Sequence, residues 1–298
     1  MSEASSVTAS SVWFLQSRGA RIAVRDWAPP ALVPPRGMVV LVHGLGEHSG
    51  RYEALARQLV SWGFVVRGYD HYGHGRSDGP RGGLDHEARL VEDLAVVLND
   101  TITCTEIGVP LILLGHSLGG LVAANAVARE RAKVDALVLS SPALDPGLSG
   151  FQKMLLGTLP RIVPNLRVDN GLKLQYLSHD ASVIEAYRSD PLCHRKVAAR
   201  LARFIADAGA ETLQKAARWS TPTLLLWAGD DHLVSPAGSR GFAAAAPKNV
   251  VRAREFEALY HEIFNETPAL AEPVLGALRH WLDARYPREV SAPIPVIA

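Results

Sequence analysis

Cysteine is scarce in this 298-residue chain: only Cys104 and Cys193 occur, far apart and with no C-x-x-C spacing. That argues against a disulfide framework or a thiolate zinc site, and it fits a reducing compartment. An excess of one charge is also missing. Lys and Arg number 31 against 30 Asp and Glu, a net charge of +1, so no global field recruits nucleic acid or an anionic membrane. No apolar run approaches the ~20 residues of a membrane span. The cluster Val12, Trp13, Phe14, Leu15 is too short for a signal-peptide core and meets Gln16 and Arg18 at once. The phosphate-cradling patterns G-x-x-x-x-G-K and G-x-G-x-x-G are absent as well, which sets nucleotide binding aside. What is present is 48% hydrophobic and 20% charged residues, an ordinary balance for a globular domain. The expected location is the cytoplasm.

Strand-like and helix-like segments alternate along the chain, the mark of a mostly parallel sheet covered on both faces. Strands are expected at residues 12–15, 21–27, 38–42, 64–69, 110–114, 136–139, 223–227 and 250–256. Helices are expected at 52–62, 87–103, 118–130 and 269–284. The interval 145–204 breaks the rhythm with Pro146, Pro160 and Pro164 and two to three helical segments. It is too long for a loop and reads as a helical cap over the sheet. The organisation is therefore a flexible 1–11, one α/β domain over 12–285 carrying the cap, and a flexible tail over 286–298.

The most telling run is Gly115-His116-Ser117-Leu118-Gly119, a G-x-S-x-G between an apolar strand and an Ala- and Leu-rich helix. Small neighbours permit the sharp strand-to-helix turn that lifts a serine hydroxyl above the sheet end. Such a serine needs a base, and the base needs an orienting carboxylate. Past the strand at 223–227 stand Asp230 and Asp231; the apolar-Val step after Asp231 favours it, with Asp230 the alternative. Past the last strand, Leu259-Tyr260-His261-Glu262 offers an imidazole in a loop. The order Ser117, Asp231, His261 is that of nucleophile, acid and base in the α/β-hydrolases. Oxyanion donors are expected from the backbone amides of Leu45, in the His43-Gly44-Leu45-Gly46 turn, and of Leu118. His116 is read as packing. His48, His71, His74 and His86 suit no tetrahedral metal set, and no metal or organic cofactor is expected.

Longer motifs surround these residues. The run from His43 to Tyr52, HGLGEHSGRY, resembles the oxyanion-loop signature of the monoacylglycerol lipase and lysophospholipase-like family. Asp70 to Ser77, DHYGHGRS, is similar to its D-x-x-G-H-G-x-S segment, and Ser189-Asp190-Pro191-Leu192 and His261 to Glu266 match further runs in order. The resemblance extends from about Phe14 to Trp281. It implies an α/β-hydrolase fold with a mostly parallel eight-stranded sheet, flanking helices and a cap. It implies ester hydrolysis with Ser117, Asp231 and His261 as triad and Leu45 and Leu118 as oxyanion donors. Leu118 stands where methionine is frequent in the family, and the cap is the least family-like part.

The implied substrate is a single-chain lipid ester, foremost a monoacylglycerol, with lysophospholipase or general carboxylesterase as the alternative. Acyltransferase, thioesterase and peptidase use the same residues, and a non-catalytic binding module is the rival from another class. The serine at the elbow argues against an epoxide hydrolase or dehalogenase. DHYGHGRS is expected to support the oxyanion site from below, and Cys193 to be a lone buried thiol. In the cap, Phe151, Met154, Leu155, Leu159, Ile162, Val163 and Leu166 recur at near-helical spacing. That face is expected to pack on the core, or else to line an acyl tunnel or touch a lipid surface transiently. Oligomeric state is not read.

Overall fold

A computed structural model describes residues 10–29, 34–145, 147 and 162–288. Of the segments expected to be flexible, residues 1–9 and 289–298 lie outside the described residues, as do Phe151, Met154, Leu155 and Leu159 of the cap stripe. Eight strands form one sheet: β1 (Val12–Ser17), β2 (Ala20–Trp27), β3 (Met38–Val42), β4 (Val65–Tyr69), β5 (Leu111–His116), β6 (Ala136–Ser140), β9 (Thr223–Ala228) and β10 (Val251–Phe256). Their order is β1-β2-β4-β3-β5-β6-β9-β10. β2 pairs antiparallel with β1 and with β4, and every other pairing is parallel, so β2 alone runs against the rest.

Both faces are buried because the central strands carry apolar residues at every step. Val40, Leu113, Leu137 and Leu225 point into one core, shared with helices α2 (Arg89–Cys104), α3 (Leu118–Ala128), α5 (Ala199–Lys215) and α6 (Pro236–Ala245). Val39, Leu41, Ile112, Leu114, Val138 and Leu226 point into the other, shared with α1 (Glu53–Ser61) and α7 (Pro268–Arg285). Among the described residues no helix is long and apolar enough to cross a membrane.

The cap holds α4 (Ala181–Ser189) and a small antiparallel pair, β7 (Arg167–Asp169) with β8 (Lys196–Ala198), which the helical expectation missed. The boundary expected at Phe204 falls inside α5. Nothing in Ala199–Lys215 breaks a helix, and its Leu201, Phe204, Ala208 and Thr212 stripe is buried. Ile162, Val163 and Leu166 do not pack on the core as expected but stand 76%, 38% and 48% exposed. Pro164 accounts for this, since a helix cannot carry a single apolar face through it.

Candidate active site

Four loops leave the carboxyl ends of β3, β5, β9 and β10, and each carries one part of the site. β5 turns into α3 at Ser117, whose φ of +54° lies in the left-handed region. A non-glycine there costs ~1–3 kcal/mol, so its surroundings must hold it. The Ser117 amide donates to the Ser140 carbonyl at 3.0 Å, and its own carbonyl accepts from Leu121 and Ala143 at 3.0 Å each. The turn also brings backbones together: a Cβ on Gly119 would stand 2.1 Å from the Val42 carbonyl oxygen. Only glycine permits this approach of α3 to β3.

β9 and β10 are neighbours, and their loops meet. His261 Nδ1 lies 2.6 Å from Asp231 Oδ2, while Asp231 Oδ1 accepts the Leu233 and Val234 amides at 2.9 Å each. Asp230 turns instead to His232, 3.0 Å away and exposed. Burial opposes charge on Asp231, but the His261 imidazole and the two amides hold its carboxyl below the usual value. Burial likewise opposes charge on His261, yet Asp231, then Glu262 and Glu47, raise it above 6.5. With Nδ1 committed to Asp231, Nε2 is the ring nitrogen that remains.

Ser117 and His261 line one cavity of about 210 Å³ with Gly44, Leu45, Glu47, His116 and Leu118. The rest of its wall is largely apolar, including Leu172, Leu177, Val197, Ile205 and Val234. Among the described residues the Leu45 and Leu118 amides have no protein acceptor. Leu118 opens α3, where helix geometry leaves the amides free. Leu45 follows Gly44, whose amide is gripped by Glu47 Oε1 at 2.5 Å. His43 backs the same turn: Nδ1 bonds the Gly44 carbonyl at 2.7 Å and Nε2 accepts the His71 amide at 2.9 Å. Asp70, from the DHYGHGRS run, accepts the Ser49 amide and hydroxyl and the Arg76 amide.

Two histidines sit differently from their sequence reading. His116 lines the cavity, its ring 4.7 Å from that of His261; burial, then the neighbouring His261, lowers it to about 4. Strand alternation does not extend through the elbow, which is why periodicity misplaced it. His48 anchors the cap, its Nε2 2.8 Å from Asp190 and its Nδ1 accepting the Gly50 amide. Cys193 adds a third ligand-type atom within 4.8 Å, and burial pushes its thiol up to about 12. Tyr187 and His194 complete the anchor by donating to the Gly46 carbonyl at 3.0 and 2.8 Å.

A mostly parallel sheet with a serine at the β5 elbow, an Asp–His pair from its last two loops and a cap above defines the class of α/β-hydrolase-fold serine hydrolases. Residues 33–268 match the family model described as serine aminopeptidase, S33. The chain is 36% identical over 255 residues to a monoacylglycerol lipase of Mycolicibacterium smegmatis, covering 83% of this chain and 88% of that one. It is 33% identical over 258 residues to the phospholipase YtpA of Bacillus subtilis, covering 84% and 96%. The crystal structure of a Paleococcus ferrophilus monoacylglycerol lipase superposes with a TM-score of 0.78 at 35% identity, over 88% of this chain and 98% of that one. The chain belongs to this family, the monoacylglycerol lipase-like carboxylic ester hydrolases.

Proposed function

We propose that the protein hydrolyses monoacylglycerols to glycerol and fatty acid through an acyl-enzyme on Ser117. Ser117 Oγ attacks the ester carbonyl as His261 Nε2 takes its proton, and Asp231 stabilises the imidazolium through Nδ1. The oxyanion of the tetrahedral intermediate accepts from the Leu45 and Leu118 amides. Collapse breaks the bond to glycerol oxygen, which leaves with the His261 proton. Water, deprotonated by His261, then attacks the acyl carbonyl and releases the fatty acid.

The observation that carries this reading is the chemistry of the cavity around Ser117. An aminopeptidase must hold the ammonium of its substrate with a free carboxylate. Among the described residues Glu47 is the acidic residue of the cavity wall, and it is already bonded to Gly44, Tyr52 and Arg51. The remaining apolar wall suits an acyl chain. Lysophospholipid or general ester hydrolysis is the second reading, favoured by the similarity to a phospholipase.

The cap adds a transient contact with the lipid surface. Ile162, Val163, Leu166 and Val168 are all exposed, and the chain runs from them directly into Asn170 and Leu172 of the cavity wall. The cytoplasmic setting rests on cysteine usage: Cys104 and Cys193 are both free thiols.

The test is a substrate panel of monoacylglycerols, lysophospholipids, p-nitrophenyl esters and aminoacyl amides, with fluorophosphonate labelling. Wild type should be labelled and prefer monoacylglycerol, and Ser117→Ala should lose both labelling and turnover. Full turnover by Ser117→Ala, or a preference for aminoacyl amides, would refute the reading.

A further inference from the structure

Two nearly solvent-free carboxylates share one guanidinium beside the proposed triad. Arg51 Nη1 donates to Glu47 Oε2 at 2.6 Å, and its Nη1 and Nη2 donate to Glu262 Oε1 and Oε2 at 2.6 and 2.9 Å. Glu47 lies in the oxyanion loop after β3, where it also grips the Gly44 amide and accepts the Tyr52 hydroxyl at 2.7 Å. Glu262 follows His261 directly and accepts Asn265 Nδ2 at 2.9 Å. A single side chain thus ties two loops 211 residues apart. Stability is a poor reason for it, because a buried ionic cluster often does no better than apolar residues of the same volume. Two carboxylates and one guanidinium also leave one negative charge unbalanced.

We propose that Glu47, Arg51 and Glu262 form a positioning unit that sets the oxyanion loop and the histidine loop against each other. The inference rests on the roles proposed above for Leu45 and His261. Glu47, held by Arg51, fixes Gly44 and so aims the following amide, that of Leu45. Arg51 carries the same restraint across to the histidine loop. The unbalanced charge acts on His261, which is faced by Asp231 from the β9 loop, His116 from the end of β5, Glu262 from its own loop and Glu47 from the β3 loop. It favours the imidazolium that forms when Ser117 attacks.

The test uses Glu262→Gln, Glu262→Asp, Glu47→Gln and Ser117→Ala in the full chain. Wild type and the three Glu variants are assayed for kcat and KM on a soluble p-nitrophenyl ester across pH, per serine titrated with fluorophosphonate, and Ser117→Ala for turnover per mole of protein. Glu262→Gln removes the charge at near-constant shape, so the acid limb of kcat/KM should move to lower pH. Glu262→Asp keeps the charge and should keep the wild-type limb while kcat falls. Glu47→Gln should lower kcat about 10- to 100-fold with KM nearly unchanged, the signature of a misaimed transition-state donor.

A purely structural cluster would lower the melting temperature and the titratable serine, but not kcat per serine or the limb. Wild-type kcat and limb in both Gln variants would therefore overturn the inference, as would a limb that moves equally in Glu262→Asp. Turnover by Ser117→Ala would instead overturn the triad reading beneath it.

Discussion

At the carboxyl edge of the sheet, the side chains of Asp231, Glu47 and Glu262 are almost sealed from solvent and each accepts several hydrogen bonds. In the cap, four large apolar side chains stand in solvent within the seven residues from Ile162 to Val168. The edge carboxylates have their partners within the fold, and these four cap side chains stand in solvent. Under the proposed function the edge meets the ester group, which is the same in every substrate, so its geometry can be fixed by buried bonds. Under the same proposal the cap meets the variable part of a lipid and the surface that presents it, and a surface left apolar suits such a partner. Ties nevertheless join the two regions at several places: His48 to Asp190, Tyr187 and the His194 amide to Gly46, the Ala198 amide to the Gly82 carbonyl, the His261 and Glu262 amides to the Tyr176 and Leu177 carbonyls, and Ser178 and His179 to Glu266.

The sharpest way to break this comparison is at the edge, where Asp231 and Asp230 are adjacent but only one faces His261. Asp231→Asn should cost about 1,000- to 10,000-fold in kcat, because an amide favours the wrong imidazole tautomer and does not stabilise its cation. Asp230→Asn, which loses only an exposed contact to His232, should stay within about twofold of wild type. Steady-state assays on one soluble ester decide the matter. Comparable losses in both variants would contradict the assignment.

A smaller effect comes from pH. In the proposed mechanism His261 must be neutral to accept the serine proton, and its environment raises its pKa above 6.5. Activity should therefore fall as pH drops through a value above 6.5, not below it, by about tenfold per unit beyond that point. Since the groups that raise it lie at the edge, short soluble esters and long-chain monoacylglycerols should show the same acid limb in kcat/KM. A limb that depends on chain length would mean that the cap also sets the charge of the site.

Much of the edge was legible because each part follows a strand end, and strands buried on both faces announce themselves as unbroken apolar runs. The elbow glycines were legible for a similar local reason. What escaped depends mostly on distant pairing or on broken helical pattern, the part of α5 beyond Phe204 being the exception. α6 went unseen because Gly238 and Gly241 dilute its helical character, although Pro236 at its start was a usable signal. In the Glu47–Arg51–Glu262 bridge, Arg51 and Glu262 are 211 residues apart, and no spacing rule reaches that far. Glu47 and Arg51 carried a partial signal, as a charged pair at helical spacing directly after an apolar strand. The cap resisted for the opposite reason: its apolar residues follow neither the helical nor the strand period for long, and Pro164 interrupts the one stripe that does.

The gentlest test addresses that stripe. Ile162, Val163 and Leu166 are 76%, 38% and 48% exposed, so replacing all three with serine should leave the fold nearly unchanged, as is usual for surface positions. Burying such side chains in a lipid surface is worth up to ~1.5–3 kcal/mol each, and immersion at an interface is partial. The triple variant should therefore lose several-fold to about tenfold in kcat/KM on long-chain monoacylglycerol dispersed in vesicles. It should match wild type on p-nitrophenyl acetate in solution, where no interface exists. Binding of catalytically silent Ser117→Ala to neutral vesicles, with and without the three serines, separates surface contact from turnover. Equal losses on both substrates would place these residues in the support of the cavity instead, and the cap would then resemble the edge more closely than its exposure suggests.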